Sequence, residues 1–147
     1  MTTIIAKTHQ LLLSRFGKIN RLMVKVIESR LAPIGITYQE MRIAGLLMGE
    51  NSMTQKVLAE KLSVRPATLS VAISKLEAQG LVKRVPSKTD KRVNFLYIIP
   101  NENITKVDKL LAMLEADITQ GIAKKDLQVT SQVLAKIIDN LHAQERT

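Results

Sequence analysis

Ser63-Val64-Arg65-Pro66-Ala67-Thr68-Leu69-Ser70-Val71-Ala72-Ile73-Ser74-Lys75-Leu76-Glu77-Ala78-Gln79-Gly80 is the stretch that decides how this chain folds. Ser63-Val64-Arg65 reads as a three-residue turn. Pro66 then takes the first position of a helix, where its missing N–H would have had no partner anyway. Leu69, Ile73 and Leu76 fall on one face with Ala72 beside them, and Gly80 can adopt the left-handed conformation that stops a helix. The opposite face carries Ala67, Thr68, Ser70, Val71, Ser74 and Lys75, which are short and mostly uncharged. A solvent-exposed helix normally carries long charged side chains, because they favour the helix and keep it soluble. A helix lying in a DNA groove needs small ones instead, so that hydroxyls and methyls can reach base edges. An ordinary half-buried packing helix is the competing reading of the same residues.

Working outward, Leu58, Ala59 and Leu62 mark a short helix that starts near Ser52 or Thr54. Beyond Gly80 the period changes. Leu81-Val82-Lys83-Arg84-Val85 and Arg92-Val93-Asn94-Phe95-Leu96-Tyr97-Ile98-Ile99 are rich in strand formers. Pro86-Ser87-Lys88-Thr89-Asp90-Lys91 between them is polar and turn-rich, so the pair reads as a β-hairpin with a basic tip. Helix, short turn, helix and hairpin over 54–99 make a winged helix–turn–helix. The second helix would enter a major groove while the hairpin reaches the adjacent minor groove. The DNA-facing set therefore joins Arg65 and Pro66 to the six outward residues, with Arg84, Lys88 and Lys91 from the hairpin.

The flanks are helical. Thr37-Tyr38-Gln39-Glu40 is a capping box, followed by Met41, Ala44, Leu47 and Met48 at helical spacing. Before it, Leu12, Phe16, Ile19, Met23 and Val26 recur at steps of four and three in a long helix ended by Pro33 and Gly35. After the hairpin, Val107, Leu111, Leu114, Ile118 and Ile122 form one stripe, and Leu134, Ile137, Ile138 and Leu141 another. The fold class is mostly α with a small β-hairpin. It is read as one domain over 1–147 with a DNA-binding part at 37–99, and the long first helix suits packing on a partner subunit or on its own chain equally.

Composition agrees. Lys and Arg total 22 against 13 Asp and Glu, a formal +9 that favours an anionic partner. The excess is local: seven basic and two acidic groups in 1–49, nine and four in 50–99, six and seven in 100–147. There is no Cys, which excludes thiolate redox sensing, Cys nucleophiles and thiolate metal sites. The N-terminus lacks the plan of a signal peptide, and no apolar run approaches a membrane span, so the expected location is cytoplasmic. His9 and His142 stand at opposite ends of the chain and make no zinc cluster, so no metal or cofactor is expected. No arrangement of nucleophile, base or paired carboxylates suggests an enzyme. An aromatic content of 3% argues against a stacking platform for single strands.

These residues resemble the multiple antibiotic resistance regulator (MarR) family. Met53-Thr54-Gln55-Lys56-Val57-Leu58-Ala59-Glu60-Lys61-Leu62 is similar to that family's LAeKL-type helix. Leu76-Glu77-Ala78-Gln79-Gly80-Leu81-Val82-Lys83-Arg84 matches its LExxGLVxR junction, and Asp90-Lys91-Arg92 its D-x-R wing motif. The resemblance implies a homodimer joined by the first, fifth and sixth helices, with dimerisation helices at 1–33 and 103–145 and two winged helices reading a pseudo-palindromic operator. It places Arg92 in the minor groove and gives Asp90 the task of orienting nearby basic side chains. It also implies a repressor released by a small aromatic or lipophilic anion, with Arg15, Ile19, Arg42 and Leu46 as the ligand-binding candidates. Val71 stands where many members have Arg, and Ser63 replaces a common turn Gly. A winged helix that packs on a protein partner instead of DNA is the alternative, and the basic excess around 56–92 argues against it.

Overall fold

The computed structural model describes residues 11–50 and 52–146. The first ten residues, with His9 and the start of the proposed 1–33 segment, lie outside the described residues. Nine elements follow in order: α1 (Leu12–Leu31), α2 (Tyr38–Glu50), β1 (Met53–Thr54), α3 (Gln55–Leu62), α4 (Pro66–Ala78), β2 (Val82–Pro86), β3 (Asn94–Ile98), α5 (Glu102–Ile118) and α6 (Lys124–Glu145). A 3-10 turn, Ala32–Ile34, follows α1, and Gly35 takes a left-handed φ of 75° there. The chain forms two compact units, the first ending at Asp108 and the second beginning at Lys109, inside α5.

In the first unit the capping box at 37–40 forms as read. Thr37 N donates to Glu40 Oε2 at 2.9 Å, and Glu40 N to Thr37 Oγ1 at 3.2 Å. The inward face of α2 differs from the spacing-based one: Glu40, Ile43, Ala44 and Leu47 are buried while Met48 is exposed. The expected face was set one step off because Met and Ile are equally apolar and only packing separates them. Thr54 caps α3 by accepting from Val57 N at 3.2 Å. Ser63 then closes α3 in the left-handed region at φ 54°, a conformation that disfavours side chains other than Gly and Asn. Three residues separate Leu62 from Pro66, as the sequence suggests.

Leu58, Leu62, Leu69, Ile73, Leu76, Leu81 and Leu96 are all buried around the helix–turn–helix. The sheet has three strands in the order β1-β3-β2, all antiparallel, with Arg84 opposite Leu96 and Pro86 opposite Asn94. The sequence reading predicts only the hairpin. The third strand is two residues long, Met53 opposite Leu96 and Thr54 opposite Phe95, too short for any periodicity to reveal.

The stripe on α1 is largely open to solvent at Leu12, Ile19 and Val26, and only Ile27 and Leu31 of this helix are buried. In the second unit, α5 ends at Ile118 and Gly121 breaks the chain at φ 77°. Ile122 therefore sits in the turn rather than on the helical stripe assigned to it. No residue of α6 is buried, and Val129, Val133, Leu134, Ile138 and Leu141 are exposed.

Candidate nucleic-acid interface

The outward face of α4 is open. Ala67, Thr68, Val71 and Ser74 are exposed, Ser70 is half-buried, and Val71 reaches 73% exposure. Gly80, at φ 70°, turns the chain from α4 into β2, and Leu81 N returns to Leu76 O at 2.9 Å. This fixes the spacing between helix and wing within a few residues.

The wing tip is a structured loop. Ser87 N donates to Val93 O at 2.8 Å and Val93 N to Asp90 O at 2.9 Å. Ser87 Oγ accepts from Thr89 N and Asp90 N. Asp90 grips Arg92 three ways: Oδ1 accepts from its backbone N at 3.0 Å and its Nε at 3.1 Å, and Oδ2 accepts from its Nη2 at 3.3 Å. The guanidinium, whose side chain is 91% exposed, is thereby aimed without being covered. A concavity of about 820 Å³ lies between the start of α4 and this loop, lined by Lys56, Ser63, Val64 and Pro66 on one side and Arg92 and Asn94 on the other.

The Arg92 guanidinium, and after it the Arg92 backbone N–H, hold the Asp90 carboxyl below the usual carboxylate range; the slight desolvation acts the other way. A carboxyl with a depressed value stays ionised, and the clip intact, until the pH falls through that lowered value. Carboxyl-carbon NMR should therefore show Asp90 titrating below an ordinary Asp, and Arg92→Ala should raise it toward the ordinary range, the backbone N–H at position 92 being kept. An Asp90 midpoint unchanged by that substitution would break the assignment.

A small uncharged helix face and an aimed, exposed arginine lie across a concavity from one another. Residues 34–93 match the sequence profile of the MarR family. That match spans 60 of the chain's 147 residues. The chain is 27% identical over 129 residues to an organic hydroperoxide resistance transcriptional regulator from Bacillus subtilis, covering 84% of each chain. Among solved structures, a MarR family transcriptional regulator from Silicibacter pomeroyi superposes with a TM-score of 0.80 at 18% identity, over 92% of both chains. A mutant of MarR from E. coli complexed with operator DNA superposes at 0.74 and 19% identity, over 89% of this chain and 96% of that one.

Two residues of the candidate site have partners within the protein. Lys75 is turned to the α2 side, its Nζ 2.8 Å from Oε1 of Glu40, which is only 3% exposed. Arg84 lies beneath α4. Its backbone N and Nη1 donate to Glu77, its Nη2 to Ser70 O and Ser74 Oγ at 3.3 Å, and its Nε to Gln55 Oε1 at 3.4 Å. Arg84 is thus committed within the protein, and Lys75 is paired although 49% of its side chain is exposed, while Arg65, Lys88, Lys91 and Arg92 are exposed. Helical periodicity assigns a residue to a face but says nothing of the acid waiting on the neighbouring helix. Glu40 and Glu77 were legible only as a capping residue and as part of the junction motif.

Of the ligand candidates, Arg15, Ile19 and Arg42 are exposed and Leu46 is half-buried. None of them lines the concavity beside the wing or the smaller one, about 280 Å³, around Glu28, Ile36 and Thr37. Among the described residues no group of three or more His, Cys, Asp or Glu could hold a metal ion, and no helix is long and apolar enough to cross a membrane.

Proposed function

We propose that this chain is a homodimeric transcriptional regulator that binds double-stranded DNA at a pseudo-palindromic operator, acts as a repressor, and is released by a small aromatic or lipophilic anion. The observation that carries the DNA reading is the juxtaposition of the open, small-residue face of α4 with the exposed Arg92 of the wing. The operator complex of the E. coli structural relative supports the same use of the fold. The dimer is supported by the exposed apolar stripes on α1 and α6, which a single chain leaves in water. Release by ligand rests on the family resemblance, with Arg15, Ile19, Arg42 and Leu46 as the residues to vary first.

Fluorescence anisotropy on duplex libraries tests the DNA reading. Affinity should fall steeply with salt as phosphate neutralisation releases counterions. A preferred palindrome should emerge with half-sites one helical turn, about 10 bp, apart. Arg92→Ala should weaken binding roughly tenfold at every site and lower the salt slope by about 1 for each Arg92 engaged. Wild-type affinity in Arg92→Ala would remove the wing from the interface, and equal affinity for all duplexes would leave a nonspecific DNA binder.

A further inference from the structure

Between Pro66 and Ala78 the only cationic side chain is Lys75, and Glu40 holds it on the α2 side. Arg84, from the hairpin, is engaged with Glu77, Ser70 and Ser74 beneath the helix. Guanine is most often read in the major groove by a bidentate Arg or a Lys. Over Pro66–Ser74, the part of α4 that leads into the groove, no such group is present.

What it does offer is an isolated aliphatic side chain. Val71 lies in the second turn of α4 at 73% exposure, between Thr68 and Ser74, and makes no core. An exposed helical valine is favoured neither by propensity, since it is β-branched, nor by solvation. The first turns of a recognition helix are the part that meets base edges. On the floor of the major groove the group that an aliphatic side chain complements is the 5-methyl of thymine.

We propose that Val71 is a specificity-determining residue that packs on a thymine methyl in each half-site, so that α4 selects thymine there by apolar contact. The inference rests on the DNA-binding reading above and is separable from it. The full-length chain is used to select duplexes from a randomised library, and each thymine of the selected duplex is then replaced in turn by deoxyuridine, which deletes only the methyl. Wild type should lose affinity roughly fourfold at one thymine per half-site, the loss for withdrawing one buried methyl-sized group. Val71→Ala should bind the thymine duplex about as weakly as wild type binds the deoxyuridine one, and should not distinguish the two. Alanine is the better helix former at an exposed position, so the variant keeps its fold. A wild type indifferent to every deoxyuridine, or a Val71→Ala protein with the same penalty, overturns the inference while specific binding stands. A library with no enriched sequence overturns the reading of sequence-specific binding and the inference with it.

Discussion

Ile138→Asp should convert the protein from a dimer to a folded monomer and lower its affinity for a palindromic duplex by a hundredfold or more. Ile138 is 52% exposed in the single chain, in line with Leu134 and Leu141 at steps of four and three on α6. A substitution at so exposed a position changes the stability of an isolated chain by less than about 0.5 kcal/mol. In a dimer that covers the stripe, the same carboxylate would be buried without a partner, which is strongly unfavourable. Losing the second winged helix removes the advantage of two linked contacts, on the order of 10²–10⁴ in apparent affinity. Sedimentation velocity and anisotropy on the same samples check both effects. Gln132→Asp, an exposed change off the stripe, should leave mass and affinity as they are. A dimeric Ile138→Asp protein with full affinity would place the subunit contact elsewhere.

The same stripe shows what the sequence could reveal and where it stopped. Periodicity located α1 and α6 because apolar residues recur at helical steps whether the face meets its own chain or another. It could not say which, and exposure of Ile19, Val26 and Ile138 is a property of the folded chain alone. Around the helix–turn–helix the reading went further. Leu69, Ile73 and Leu76 lie buried where their spacing places them, and the turn at 63–65 and the stops at Gly35 and Gly80 follow from local conformational preference. β1 escaped because two residues carry no period. Ile43 and Met48 exchanged places because apolarity is shared and shape is not.

In the interface the legible part was the side-chain size of α4 and the Asp90-x-Arg92 clip, both local properties. Lys75 and Arg84 are both drawn to partners on other elements, which a face assignment does not register; for Arg84 the acid, Glu77, is only seven positions away, and the distant partner is the neutral Gln55. Glu40 precedes Lys75 by 35 positions, and Gln55 precedes Arg84 by 29. Electrostatic pairing across elements overrides the face assigned by the 3.6-residue period.

Arg84→Met is the second large effect, and it separates a strut from a phosphate contact. Arg84 ties α3, α4 and β2 together through Gln55, Ser70, Ser74 and Glu77, with 23% of its side chain exposed and 33% of Glu77's. Methionine keeps most of the stem and removes the guanidinium. Hydrogen bonds to charged groups contribute about 1.5–3 kcal/mol each when buried, and partial exposure of Glu77 lets water recover part of that, so a loss of about 2 kcal/mol is expected. Denaturant titration reads it. Because the strut sets the angle between α4 and the wing, DNA affinity should also fall about tenfold well below the melting temperature, with the salt slope of wild type. A phosphate contact behaves in the opposite way, lowering the slope by about 1 and sparing stability. The double variant Arg84→Met/Glu77→Met should regain much of the lost stability, since removing both partners leaves no uncompensated charge. It should not regain DNA affinity, because the angle is still unheld. An unaltered midpoint with a reduced slope would move Arg84 back among the residues that touch DNA.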